Sequence, residues 1–277
     1  MAGIPGPLLL VGGGRMGRAL LDGWLHQGLT PGAAFVIEPD EARAGELSAS
    51  GAAVVANAAA LPADARFRIL VLAVKPQVMA DVLPALPRHL APGGLVVSIA
   101  AGKPLAVFEA AFGAATAIVR VMPNTPAAIG RGISALFANP AADAASRDVA
   151  ERLMRAVGET VWLGDEEEMH AVTALSGGGP AYVCLLVEAL AAAGERLGLA
   201  PELAMHLART TVVGSGALLE ADGATPAELR EAVTSPGGTT RAALDHLMPG
   251  DGREESGMME LIAVALAAAA ARSRELA

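Results

Sequence analysis

Aromatic side chains make up only 3% of this 277-residue sequence. So few rings leave no stacking platform for single-stranded nucleic acid. Positive charge is also short. Twenty Lys and Arg stand against 29 Asp and Glu, giving a net charge of −9 and a pI near 5.1. Such a chain repels polyanions, so neither nucleic acid nor an anionic membrane surface is an expected partner. A single cysteine, Cys184, excludes an internal disulfide framework and a multi-cysteine metal site. That usage predicts a reducing, cytoplasmic setting. His26, His89, His170, His206 and His246 show no metal-ligand spacing, so no metal is expected.

Charged residues are also scarce, at 18% against a usual value of about 25%. Hydrophobic residues reach 53%, more apolar surface than one monomer readily hides, which predicts a homo-oligomer of at least two chains. No apolar run is long enough for a membrane span by itself. The longest candidate, Leu261–Ala271, has eleven residues between Glu260 and Arg272, and spanning takes about 20. The N-terminal apolar run has no basic segment before it and is broken at once by Gly12-Gly13-Gly14, unlike a signal peptide.

At about 150 residues per domain, this length predicts two domains. Residues 1–163 alternate short apolar runs with helical stretches. Runs at 7–11, 34–37, 69–74 and 95–99 are near-continuously apolar, as in parallel strands buried on both faces. Further strands are predicted at 117–121, 132–137 and 160–163, with helices at 15–28, 41–50, 77–85, 104–111 and 143–156. This alternation predicts a Rossmann-type, doubly wound parallel sheet. From 164 to 277 no strand pattern recurs. Helices are predicted at 165–176, 180–198, 201–221, 226–232, 237–247 and 254–274, an all-helical second domain. The segment Ala181–Ala193 is apolar nearly all round, which predicts burial on several sides, with Cys184 a core residue.

The sharpest local motif is Gly12-Gly13-Gly14-Arg15-Met16-Gly17, a G-x-G-x-x-G between a strand and a helix. Gly12 permits the tight turn, Gly14 lets a pyrophosphate approach the backbone, and Gly17 lets the helix pack on the strand. Glu38 follows Gly17 by 21 residues at the end of the second strand, where an acid reads an adenosine ribose. Ala73-Val74-Lys75-Pro76 and Ser98–Gly102 follow two other strands. Ligands bind outside such carboxyl ends, so both turns are placed on the nicotinamide side. Position alone leaves Lys75, one of two lysines, equally readable as a solvated surface residue. In the helical half, Thr234–Thr240 sets glycines and hydroxyls at a helix start. That is either an anion site or an ordinary capped loop.

Taken in order, Gly12–Gly17, Leu72–Gln77, Ser98–Gly102, Val121–Pro126, Leu175–Tyr182 and Ala232–Leu244 resemble the pyrroline-5-carboxylate reductase family along almost the whole chain. The last segment is the most specific. The resemblance implies a Rossmann domain, a helical dimerisation domain, and NADPH- or NADH-dependent reduction of a cyclic imino acid to L-proline. Carried over by motif, Gly12, Gly14, Arg15, Met16 and Gly17 hold the pyrophosphate. Ala73, Val74, Lys75, Pro76, Ala100 and Ala101 line the nicotinamide side, and Asn57 touches the adenosine side. Gly237, Gly238, Thr239 and Thr240 hold the substrate carboxylate, with Thr240 the candidate catalytic residue.

Two departures matter. Gly178 stands where the family usually has serine, and Glu38-Pro39-Asp40 stands where NADPH-preferring members often carry basic and hydroxyl residues. Family resemblance leans to NADPH, whereas Glu38 predicts that NADH is used at least comparably. Two other readings remain. A β-hydroxyacid dehydrogenase shares the glycine-rich start but needs a lysine in the helical half, and none follows Lys103. A non-catalytic dinucleotide-binding protein is the other.

Overall fold

The computed structural model describes residues 6–221, 223–248 and 257–276. Eight strands form one sheet in the order β3-β2-β1-β4-β5-β6-β7-β8. They are β1 (Leu8–Val11), β2 (Ala34–Ile37), β3 (Ala53–Val55), β4 (Phe67–Leu72), β5 (Leu90–Ser98), β6 (Ala117–Met122), β7 (Gly132–Ala138) and β8 (Gly158–Trp162). The helices between them are α1 (Arg15–His26), α2 (Glu41–Ala49), the single turn α3 (Met79–Val82), α4 (Leu105–Phe112) and α5 (Ala144–Arg155).

The apolar runs are continuous because both faces of the sheet are covered. Leu8, Leu10, Val36, Ile69, Val71, Val97 and Val119 face one core, which also contains Leu20 and Trp24 of α1 and Leu153 of α5. Their sequence neighbours Leu9, Val11, Ile37, Leu70, Leu72, Val96 and Ile118 face the other, with Leu105 and Phe108 of α4. This alternation follows from the two-residue period of a strand. Trp24 is fully buried, and its indole N–H donates to the Leu153 carbonyl at 2.9 Å, joining α1 to α5.

The first six strands are parallel, as expected, but β7 is antiparallel to β6, and β8 follows β7. A parallel neighbour needs a crossover of a dozen or more residues, and only residues 123–131 separate β6 from β7. The short edge strand β3 was not predicted. The helix predicted at 77–85 is instead two 3-10 turns flanking α3, with Pro76 and Pro84 in the flanking turns.

The remaining helices are α6 (Glu168–Val172), α7 (Gly179–Arg196), α8 (Pro201–Ala221), α9 (Pro226–Ala232), α10 (Thr239–Leu247) and α11 (Met258–Glu275). Positions 254–256 of the last predicted helix lie outside the described residues. A π-helical turn at Thr173–Gly177 joins α6 to α7. The resulting run, Glu168–Arg196, is 29 residues long with a mean hydropathy of 1.4, long and apolar enough to cross a membrane by those measures alone. Polar residues such as Ser176 and Glu188 interrupt it, so it is not an unbroken apolar run in the sequence.

Contacts divide the chain into two compact units: one reaching Gly178 and resuming at Ala269, the other spanning Gly179–Ala268. In the first unit, Arg120 of β6 is nearly buried and ion-pairs with Glu166, whose Oε1 also accepts the Leu105 N–H at 2.7 Å. His170 of α6 and Ser273 of α11 are both buried and share a hydrogen bond of 2.9 Å. The helix predicted from 165 begins instead at Glu168, whose carboxylate accepts the Gly164 and Asp165 N–H groups just before it.

In the second unit, α7 and α8 pack together. Yet Ala191 is the only buried residue of α7, and Val183, Leu185, Leu186 and Leu190 are exposed. Cys184 is exposed too. The expected burial of Ala181–Ala193 is thus not achieved within one chain. Too few helices surround α7 in a single copy of this unit to cover an apolar surface that runs nearly all round.

Candidate active site

β1 ends at Val11 and α1 begins at Arg15, so the glycine motif is the turn between them. Gly12 has a φ of 103°, and a Cβ there would lie 2.8 Å from the Ala73 carbonyl oxygen. A Cβ on Gly17 would lie 2.1 Å from the Gly12 oxygen, so glycine is required where α1 crosses the turn. Gly14, the residue preceding α1, has open space where its Cβ would stand. A helix start leaves its first N–H groups without intrahelical acceptors, and no side chain caps α1. The cradle therefore fits an anion approaching at Gly14.

A cavity of about 750 Å³ opens beside this turn in the first unit. Gly12, Gly14, Glu38, Asn57, Ala73, Val74 and Lys75 line it, so residues from four separate chain segments converge there. Arg15, Met16, Gly17, Pro76, Ala100 and Ala101 do not line it. Met16 is partly buried against the sheet core, leaving its backbone as the part suited to a phosphate. Asn57 accepts the N–H groups of Ala59 and Ala60 at 3.0 and 3.2 Å, capping a short 3-10 turn at the cavity edge. Ala100 is buried, and Gly102 sits against Leu276, whose carbonyl accepts from Lys103 Nζ at 3.3 Å. Val78, Val82 and Leu86 supply an apolar wall that motif reading missed. Their only sequence signal is the proline-punctuated run after Lys75.

Glu38 is the most constrained of these residues. Its side chain is 4% exposed. Oε2 accepts the Gly13 N–H at 2.8 Å, and Oε1 accepts the Asp40 N–H at 2.9 Å. Gly13, absent from the predicted site, is thus the glycine that ties the turn to β2. Arg43 also returns to this point, with Nη2 3.6 Å from Glu38 Oε1 and 3.2 Å from Asp40 Oδ2. Asp40 caps α2 by accepting the Arg43 N–H at 3.0 Å. That hydrogen bond, above the side-chain bond with Arg43, holds the Asp40 carboxyl below its ordinary pKa.

The predicted substrate residues lie in the second unit. Gly237 has a φ of 69°, which glycine adopts without strain, and a Cβ on Gly238 would lie 2.3 Å from Ser235 Oγ, so a side chain there would displace that hydroxyl. Gly238 precedes α10 without a side-chain cap, which leaves the first-turn N–H groups of Thr239 and Thr240 without intrahelical acceptors. Among the described residues, no group of three His, Cys, Asp or Glu is placed to hold a metal ion.

A mostly parallel sheet, a glycine-rich turn at the first strand and a cavity across the strand ends define a dinucleotide-dependent oxidoreductase of Rossmann type. A family model described as NADP oxidoreductase, coenzyme F420-dependent, matches residues 8–102, and one described as pyrroline-5-carboxylate reductase dimerisation matches residues 166–276. The chain is 41% identical to a pyrroline-5-carboxylate reductase of Pseudomonas aeruginosa, over 98% of this chain and 96% of that protein. Its structure is similar to that of a pyrroline-5-carboxylate reductase from Coxiella burnetii, with a TM-score of 0.88, 35% identity and 98% of each chain covered. A Plasmodium falciparum pyrroline carboxylate reductase with NADP bound gives a TM-score of 0.83 at 27% identity, covering 99% of each chain. The chain belongs to the pyrroline-5-carboxylate reductase family. It is an NAD(P)H-dependent oxidoreductase, and its dimerisation region makes it a homo-oligomer.

Proposed function

We propose that this chain reduces 1-pyrroline-5-carboxylate to L-proline, with the nicotinamide cofactor in the first-unit cavity and the imine carboxylate at residues 235–240. The observation that carries the substrate assignment is the 235–240 turn. A left-handed Gly237 delivers it to an uncapped helix start bearing two threonines, a ready site for a carboxylate. We further assign 1–163 to cofactor binding and 164–277 to dimerisation and substrate binding. A cytoplasmic setting is supported by the single cysteine, and the net charge of −9 speaks against nucleic acid and anionic membranes as partners.

The reduced nicotinamide supplies the hydride when bound. The imine carbon is already electrophilic once its nitrogen carries a proton, so the protein's share is orientation. Gly12, Gly14 and the backbone of Arg15 and Met16 hold the pyrophosphate, while Gly17 keeps α1 close to the turn. Ala73, Val74 and Lys75, which line the cavity, flank the nicotinamide, and Asn57 the adenosine. Thr239, Thr240 and the backbone of Gly237 and Gly238 fix the carboxylate, which orients the ring.

Thr240→Ala removes one hydrogen bond to a charged group, worth about 1.5–3 kcal/mol. The expected result is a fall in kcat/KM for the imine of roughly 10- to 100-fold, with cofactor affinity nearly unchanged. Steady-state kinetics alongside calorimetric cofactor binding checks this. Equal loss in both measurements, or no loss, would remove the carboxylate from this turn.

A further inference from the structure

The charge arrangement around Glu38 bears on which nicotinamide cofactor the cavity takes. Glu38 lines the cavity and is almost inaccessible to water, yet it is not saturated. A carboxylate has about four lone-pair directions, and two are used by the N–H groups of Gly13 and Asp40. The remaining ones suit hydroxyl donors. Arg43 is the nearest cation, but it already faces two carboxylates, Glu38 at 3.6 Å and Asp40 at 3.2 Å. Its guanidinium is held above its ordinary pKa, first by the hydrogen bond to Asp40 and then by the charge of Glu38. One positive charge against two negative ones leaves the group at −1. The other charged residues lining the cavity are Lys75, after β4, and Asp81, within α3.

We propose that Glu38, Asp40 and Arg43 form a cofactor-selecting cluster in which Glu38 both braces the glycine turn and accepts ribose hydroxyls, while Asp40 keeps Arg43 from serving a 2′-phosphate. The chain accordingly takes NADH in preference to NADPH. This rests on the reading of the cavity as the dinucleotide site. A 2′-phosphate placed here brings nearly two negative charges to a group that is already anionic, and a desolvated carboxylate opposes it more strongly than an exposed one. A diol brings no such conflict. Asp40 is a positioning residue in this scheme: it acts on the cofactor through Arg43.

The test is calorimetric titration of the full chain with NADH, NADPH, AMP and 2′-AMP, with no imine present. Wild type is expected to bind NADH at least tenfold more tightly than NADPH, and AMP more tightly than 2′-AMP. Asp40→Asn keeps a good helix cap and removes one negative charge, so it releases Arg43 and moves the ratio about tenfold toward NADPH. Glu38→Gln loses one backbone acceptor, so it weakens NADH binding and narrows the ratio. Thermal unfolding of each variant separates these effects from a loss of fold. Tighter binding of NADPH by wild type, or a ratio that neither substitution moves, would overturn the proposal. Failure of all four ligands to bind would overturn it together with the cavity assignment. A clear NADH preference without imine-dependent oxidation would support the cluster and overturn the reductase reading instead.

Discussion

Gly14→Ala and Gly17→Ala should both disable cofactor binding, but only the second should damage the fold. A Cβ on Gly14 enters space with no protein atom within 4 Å, and its φ of −63° is one that alanine adopts readily. Thermal stability should therefore stay near wild type. The same methyl occupies the approach of the pyrophosphate, so cofactor affinity should fall at least tenfold, about 1.4 kcal/mol. At Gly17 the methyl would stand 2.1 Å from a backbone oxygen that cannot swing aside. α1 must then lift from β1, and both affinity and stability are lost. We expect at least a hundredfold weaker binding and a melting transition lowered by several degrees, since about 1 kcal/mol moves Tm by roughly 2–4 °C in a chain of this size. Titration and thermal unfolding of the two variants provide the check. Normal NADH and NADPH binding by Gly14→Ala would place the pyrophosphate elsewhere.

Charge placed on the exposed apolar face of the second unit should dissociate the oligomer. Leu185 and Leu261 are 61% and 65% exposed in one chain, and both lie in the region matched by the dimerisation model. Burying a leucine fully is worth about 1.5–3 kcal/mol. Leu185→Glu with Leu261→Glu removes that gain and adds carboxylates that lose hydration without a partner. In a twofold interface each change counts twice. Light scattering should show an oligomer for wild type and monomers for the double variant, with reductase activity lost. A wild type that is monomeric at micromolar concentration would contradict the assembly expected from its composition.

Much of this architecture was legible because its causes are local. Continuous Val, Leu and Ile runs marked the buried strands, the glycine spacing marked the β1–α1 turn, and α8 and α9 fell on the predicted residues. What escaped depends on distant partners. Hydrophobic periodicity does not encode strand direction, so the reversal of β7 was missed, although the short 123–131 connection carried the clue. Glu38 was placed at the ribose from its position, but its bond to Gly13, 25 residues away, has no sequence signature. Sequence alone leaves open whether Arg43 folds back over Glu38. One helical turn capped by Asp40 brings it back. Cys184 was read as core because α7 is apolar. That inference took one chain to be the whole folding unit, and the exposed face of α7 shows where it stops applying.

Purified wild-type protein mixed with 1-pyrroline-5-carboxylate and either NADH or NADPH tests the central claim most directly. Imine-dependent cofactor oxidation with stoichiometric formation of proline is expected, with no oxidation of 3-hydroxy acids by NAD⁺ or NADP⁺. Robust hydroxy-acid oxidation without imine reduction would contradict it.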